Sequence, residues 1–212
     1  MLTNVPPTAT EQFLELQDEQ QFAGRPEIPL LEGALGKGYL GWSGFQGNLT
    51  IAVAPEAAVE ALRLLRDEGG YDHFSYMTAS HWPETPREAF HFVYQLYSRQ
   101  HATWVRLKCF LPAPREQHGP IALPTATGVY PAADWHECEA WDLLGIHFDG
   151  HPNLRRLLTP GMYEGFPLRR DFPLEGAELR AFQTQLIEQW NSDPDHTDKG
   201  STDDFWIDRY FS

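Results

Sequence analysis

Residues 48–70 read NLTIAVAPEAAVEALRLLRDEGG, and two hydrophobic periods meet inside that stretch. Leu49, Ile51 and Val53 alternate with Asn48, Thr50 and Ala52, the two-residue repeat of a strand, predicted over Asn48 to Ala54. At Pro55 the period changes. Val59, Leu62 and Leu65 fall on one helical stripe, Pro55 suits the first turn, and Gly69-Gly70 ends the helix at Asp67 or Glu68. Tyr71 to Thr78 is a second strand candidate. Phe90, Phe92, Tyr94 and Leu96 then alternate within Ala89 to Ser98, and Val105, Leu107, Cys109 and Leu111 within Trp104 to Leu111. Only a few polar residues separate these last two runs, so they should pair as an antiparallel hairpin. Strand, helix, strand and hairpin predict an α+β domain over 48–111: a mixed β-sheet with the 55–68 helix covering one face.

Outside that domain the composition shifts. Residues 1–47 form a Gly/Pro-rich region, with a helix candidate over Glu11 to Phe22 and turns and short strands expected among the seven glycines from Gly24 to Gly47. Gly36-Lys37-Gly38 stands in neither glycine pattern that cradles phosphate, which excludes a nucleotide loop there. Residues 112–173 are a proline-rich linker and a motif region, and 174–212 an acidic tail. From Asp171 onward ten acids face three bases, a net of −7 in 42 residues. Glu178 to Trp190 is an amphipathic helix candidate. The apolar ending Phe205-Trp206-Ile207-Asp208-Arg209-Tyr210-Phe211 either folds back on its own domain or docks on a neighbour.

The bulk properties exclude several functions. A net charge of −14 and a pI near 4.9 argue against gripping a phosphate backbone, so no nucleic-acid partner is expected. No apolar run is long enough for a membrane span. Glu11, Glu15, Asp18 and Glu19 precede the first arginine, Arg25, so the start reads as neither a secretory signal nor a transit peptide. Two cysteines, Cys109 and Cys138, without a CxxC, cannot hold an iron–sulfur cluster alone and should be free thiols.

The unusual chemistry gathers in residues 134–173, DWHECEAWDLLGIHFDGHPNLRRLLTPGMYEGFPLRRDFP. Asp134 as cap, Trp135, Cys138 and Trp141 in register, and Gly145 as stop predict a helix on which Glu139 and Asp142 share a face. Glu137 and Glu139 point about 200° apart on it, which spoils them as an acid/base pair. Ile146 to Phe148 is one extended step, and Pro152 should open a short helix over Asn153 to Leu158. Prolines at 167 and 173 should keep 164–173 extended. Four arginines, Arg155, Arg156, Arg169 and Arg170, face one acid, Glu164, between 151 and 170. Guanidinium pairs bidentately with carboxylates. The four serve either an internal network with Glu137, Glu139 and Asp142 or an interface with other chains.

Catalysis finds no positive support. His136, Cys138, His147 and His151 are zinc-type ligands, and His147 and His151 are four apart. Gly150 and the extended Ile146 to Phe148 deprive that spacing of its helical meaning. A free-standing zinc-dependent hydrolase using the His136/His147/His151 cluster is the alternative reading.

The run Glu137-x-Glu139-x-x-Asp142-x-x-Gly145-Ile146-x-Phe148-x-Gly150-His151-Pro152-x-Leu154-Arg155-Arg156-x-Leu158-x-Pro160, followed by Gly165-x-Pro167-Leu168-Arg169-Arg170-Asp171-Phe172-Pro173, resembles the signature of the respiratory complex I 30 kDa subunit family. In bacteria that is the C subunit of NADH-quinone oxidoreductase. The likeness holds one register through the motif and weakens upstream to Tyr71. It departs at Cys138, where the family has Arg, at Phe166, where it has His, and at Arg170, where it has Lys.

The resemblance implies a cofactor-free structural and assembly subunit in the hydrophilic arm of a proton-pumping NADH-quinone oxidoreductase (complex I), with no catalytic or metal residues of its own. The partners implied are the hydrophilic-arm subunits, chiefly the one that forms the quinone site and the one that holds the terminal iron–sulfur cluster. Iron–sulfur clusters and FMN would sit in partner subunits, NADH and a quinone would be substrates of the complex, and the place would be peripheral, on the cytoplasmic side of the bacterial cell membrane. The interface and structural residues implied are Glu137, Glu139, Asp142, Gly145, His151, Pro152, Arg155, Arg156, Gly165, Pro167, Leu168, Arg169, Arg170 and Asp171.

Overall fold

The computed structural model describes residues 24–85, 89–113, 121–160 and 165–172, with Phe22, Tyr163 and Thr184. The helix candidates at 11–22 and 178–190 and the aromatic stretch 205–211 lie, but for Phe22 and Thr184, outside the described residues.

The alternating runs become a five-stranded sheet of β1 (Tyr39–Phe45), β2 (Asn48–Val53), β3 (His73–His81), β4 (Phe90–Ser98) and β5 (Thr103–Leu111), in the order β1-β2-β5-β4-β3. β2 and β5 are parallel and the other pairs antiparallel, so the sheet is mixed. The expected β4–β5 hairpin runs from Phe90 opposite Leu111 to Ser98 opposite Thr103. The helices are α1 (Glu27–Leu35), α2 (Ala58–Asp67), entered through a 3-10 turn at Pro55–Ala57, and α3 (Ala133–Leu144). The α+β class, with α2 as the covering helix, is what the molecule has.

One sheet face carries the core. Phe92, Tyr94 and Leu96 of β4 stand opposite Cys109, Leu107 and Val105 of β5, and Leu49, Ile51 and Val53 extend the layer across β2. Leu62 and Leu65 of α2 and Leu31 of α1 close over it, all fully buried. Each such side chain stabilises the fold by about 1.5–3 kcal/mol relative to exposure. A smaller parallel pair, β6 (Ile121–Pro124) with β7 (Ile146–Asp149), flanks α3, and Phe148 of β7 packs 5.8 Å from Phe92.

Four features depart from the sequence expectations. Residues 24–47 hold the helix α1 and the strand β1, so the sheet begins at Tyr39, upstream of Asn48. EIPLLEGAL shows no apolar stripe, and Pro29 is tolerated because it stands in the first turn. Arg25, Glu27 and Tyr71 tie α1 to the start of β3 instead: Arg25 donates to Glu27 at 3.0 Å and to the Tyr71 hydroxyl at 2.8 Å, and that hydroxyl donates to Glu27. β3 runs on to His81 because a register shift between Phe74 and Tyr76 resets its alternation and returns Met77 and His81 to the buried side. The expected short helix at 153–158 does not form, since the backbone there is turned onto Asp142. Residues 165–172 are not extended but make two successive turns, Arg169 N–H to Phe166 C=O and Phe172 N–H to Arg169 C=O, both at 3.1 Å.

Candidate functional site

Helix α3 positions the site. Asp134 does not cap it: Ala132 occupies the cap position without a side-chain bond, and Asp134 faces His151. Gly145 ends it as expected, with φ at 72° in the left-handed region. A second reason for glycine is the Phe166 ring, which would lie 2.5 Å from any Cβ added there.

Two carboxyl groups on this helix are fully buried, and each gathers a different piece of chain. Asp142 Oδ2 accepts the backbone N–H groups of Leu157, Leu158 and Thr159 at 3.0, 2.7 and 2.9 Å. Its Oδ1 takes the Thr159 hydroxyl and Arg156 Nη1, the latter at 2.8 Å. Arg156 also donates to the Asp142 carbonyl at 3.1 Å and to the Gly165 carbonyl at 3.2 Å, while Trp141, Tyr163 and Phe166 ring its guanidinium. Burial pushes the Asp142 carboxyl up, but the Thr159, Leu158 and Arg156 donors outweigh it and hold the group below the usual range. Glu137 accepts the Thr125 hydroxyl and the Ala126 N–H, both at 2.6 Å, and burial raises its carboxyl above the usual range against those donors and His151.

His151 closes the other end of the motif. Its Nδ1 accepts the Asn153 N–H at 3.0 Å, so Nε2 carries the ring proton, 3.2 Å from Asp134 Oδ1 and 3.9 Å from Glu137 Oε2. The zinc cluster of the alternative reading does not assemble. His136 packs against Phe74, exposed His147 lies 3.6 Å from Asp149, and only His151 is enclosed. Among the described residues the group with metal-type atoms in reach of one another is Asp134, Cys138 and His151. It does not fit a metal: a ligating histidine donates its second ring N–H, whereas Nδ1 here accepts one, and burial keeps the Cys138 thiol protonated.

The four arginines separate. Arg156 serves Asp142. Arg169 turns inward, 4% exposed, with Nε donating to Leu144 C=O at 2.6 Å and its plane between Phe90 and Phe166. Its Nη2 has no hydrogen-bond partner among the described residues. Arg170 is exposed, 3.2 Å from Glu84 and over Trp82. Arg155 lies over the exposed Trp135 ring at 5.7 Å. Thus the internal network takes in Asp142 but neither Glu137 nor Glu139, which is exposed although it shares a helix side with Asp142. Pro152 is exposed, Pro167 lies in the first of the two turns with Gly165 just before it at a φ of 91°, and Asp171 lies 3.7 Å from His81. Sequence reasoning missed Thr125, Thr159 and Trp135. The first two had a legible signal, short hydroxyl residues beside prolines in turns.

Around this frame three large apolar side chains face outward: Trp135 at 62%, Leu158 at 65% and Leu168 at 59% exposure.

Over residues 51–178 the chain matches the family model described as respiratory-chain NADH dehydrogenase, 30 Kd subunit. It is similar to an NADH-quinone oxidoreductase C subunit, the one numbered 2, of Rhizobium meliloti (strain 1021), 45% identical over 134 residues that cover 61% of this chain and 69% of that protein. It is also similar to the NADH-quinone oxidoreductase C subunit of Phenylobacterium zucineum (strain HLK1), 39% identical over 159 residues, 75% of this chain and 71% of that one. A chain in the solved structure of the membrane-bound sulfane sulfur reductase, an archaeal respiratory membrane complex, shares the fold with a TM-score of 0.59 at 21% identity, over 78% of this chain and 93% of that chain. The matched stretch runs from β2 through the Asp142 and Glu137 clasps, and the chain belongs to the respiratory-chain NADH dehydrogenase 30 Kd subunit family.

Proposed function

We propose that this chain is a bracing subunit of the hydrophilic arm of an NADH-quinone oxidoreductase, contributing shape and contact surface and no redox group. The observation that carries the reading is the Asp142 clasp. A fully buried carboxylate fixes residues 156–159 so that Leu158 is held out to solvent, beside a motif that also exposes Trp135 and Leu168. Apolar side chains held rigidly outward lose little conformational freedom on docking, which is what a permanent assembly contact needs.

The partners in this reading are the subunit that forms the quinone site and the subunit that holds the terminal iron–sulfur cluster, with the other clusters and FMN carried elsewhere in the complex. The position is peripheral, on the cytoplasmic side of the bacterial cell membrane; none of the described helices is long and apolar enough to cross a bilayer. Arg155 on Trp135 supplies a cation beside an apolar anchor, the pairing enriched at interface centres.

The test is the yield of assembled complex with Trp135→Ala or Arg155→Ala in this chain, beside the thermal melting of the isolated chain. A complex that loses this subunit while the isolated chain melts unchanged supports the reading. Full assembly with either variant overturns it.

A further inference from the structure

The five-stranded sheet ends at β3, which pairs with β4 on one side. The Trp82 N–H donates to the Ala89 carbonyl at 2.6 Å, and that bond sets the phase of the pair. Counting back in twos, Ser80 and Thr78 turn their N–H and C=O groups to β4. Met77, Ala79 and His81 therefore turn theirs to the outer edge. Residues 169–171 close the His81 end, where the imidazole accepts the Arg170 N–H at 3.1 Å and Asp171 lies 3.7 Å away. Among the described residues no hydrogen bond reaches the edge-facing groups of Met77 and Ala79.

Nothing in the sequence guards this edge. Natural proteins blunt an edge strand by keeping it short, or with a charge, a proline or a bulge. Tyr76-Met77-Thr78-Ala79-Ser80 has neither charge nor proline, and the irregularity in β3, between Phe74 and Tyr76, comes before Met77. β3 is nine residues long, the same length as the interior strands β4 and β5. A strand of that length and composition at an edge is a template for one more.

An open cleft of about 250 Å³ lies along it. β3 contributes Met77, Thr78 and Ala79 to the lining, and α3 contributes His136, Glu139 and Leu143. The exposed Leu168 also lines it, fixed by its N–H on the Leu143 carbonyl at 3.0 Å. α3 carries four acids, and three are engaged within the chain: Asp134 with His151, Glu137 with Thr125 and Ala126, and Asp142 with Arg156. Glu139 is the fourth. It is exposed at the cleft and pairs with no cation among the described residues.

These features specify an occupant. Peptide groups left open along a strand edge take an extended backbone, whose alternate side chains enter the neighbouring pocket. Those that enter here meet Ala79, Leu143 and Leu168 and should be apolar, while one beside Glu139 should be a lysine or arginine. A second copy of this chain fits badly, because each copy carries a net charge of −14 and the two repel. We infer that an extended segment of a neighbouring subunit adds to β3 as a further strand, seated between the β3 edge and α3 with a cation at Glu139. The inference rests on the bracing role proposed above and gives the form of one of its contacts.

The experiment compares amide hydrogen exchange, read residue by residue, in the full chain alone and in the purified complex that contains it. The Ala79 amide should exchange at least about tenfold more slowly in the complex, while the Thr78 and Ser80 amides, bonded to β4 in both states, change little. Ala79→Pro removes an N–H that faces away from β4, so the isolated chain should melt unchanged and the complex should lose this subunit. Where that variant melts early, Glu139→Arg carries the test and should lower the share of assembled subunit several-fold. An assembled complex whose Ala79 amide exchanges as fast as in the free chain overturns the inference and leaves the bracing role standing. Slow exchange already in the free chain overturns it too, since this chain or a second copy then covers the edge, and so does full assembly with a folded Ala79→Pro variant or with Glu139→Arg. A complex that forms without this chain strikes the bracing role itself, and the added strand with it.

Discussion

Asp142 and Thr159 are joined twice, the Thr159 N–H donating to Oδ2 at 2.9 Å and the Thr159 hydroxyl to Oδ1. Seventeen residues separate them, so one carboxylate at the end of α3 fixes a loop that has no regular structure of its own. Asp142→Ala leaves the N–H groups of Leu157, Leu158 and Thr159 and the Arg156 guanidinium without their shared acceptor. Breaking a buried charged pair from one side costs about 3–5 kcal/mol. Urea denaturation of the isolated domain should show a loss of that size, and a loss under about 1 kcal/mol would mean that the carboxylate is an ordinary surface pair.

Glu137 and Asp142 should act oppositely on stability as pH changes. Glu137, raised by burial, contributes fully below its unfolded value near 4.3 and progressively less as pH rises through its folded value. Asp142, held low by its donors despite burial, contributes above about 3.9 and is lost as pH falls through its folded value. Glu137→Gln should therefore flatten the decline in denaturation midpoint from pH 4.5 upward while leaving the acid limb in place. Parallel curves for the two proteins would show that Glu137 ionises as freely folded as unfolded.

Much of this frame was legible in the chain. The alternation at 49–53, 90–96 and 105–111 gave three of the five sheet strands, because the apolar residues of each run line the one face that carries the core. β1 and α1 were hidden for the opposite reason. EIPLLEGAL has no stripe, and a β1 strand with two glycines at its edge of the sheet shows no clear period. The loop at 153–159 looked helical because Pro152 and the leucines fit a first turn. What overrides them is a carboxylate many residues away, and no local pattern announces its reach.

Arg169 should behave as a core residue. It lies between Phe90 and Phe166 with its Nε on the Leu144 carbonyl and Nη2 unsatisfied among the described residues. Arg169→Met keeps the packed volume and removes a desolvated charge, so the melting temperature should hold or rise. Arg169→Ala leaves a void against two rings and should cost about 2–4 kcal/mol. A Met variant as unstable as the Ala variant would show that the cation itself is required, and calorimetry on both separates the cases.

Zinc should not bind stoichiometrically. The His151 ring accepts the Asn153 N–H on one nitrogen and offers its proton toward Asp134 from the other, leaving no free lone pair for a cation unless the clasp opens. Metal analysis of the purified chain should find none, and a chelator should leave its melting temperature in place. A fall in melting temperature with chelator would place a structural metal at Asp134, Cys138 and His151 after all.

Leu158 and Leu168 separate interface from scaffold most directly. Both side chains are largely exposed, yet each backbone is fixed, Leu158 through its N–H to Asp142 at 2.7 Å and Leu168 through its N–H to the Leu143 carbonyl at 3.0 Å. Replacing either by Asp removes no intramolecular hydrogen bond, so the isolated domain should melt within about 2 °C of the parent, the small effect expected of a surface change. Placing a charge in an apolar contact without a partner should cost on the order of 2–5 kcal/mol of association. The complex isolated by size from cells carrying the double variant should lack this subunit, whereas Glu60→Ala, exposed on α2, serves as a control and should assemble normally. Assembly with both aspartates in place would remove these side chains from the contact and send the search to the exposed edge of β1, where Leu40 and Phe45 stand.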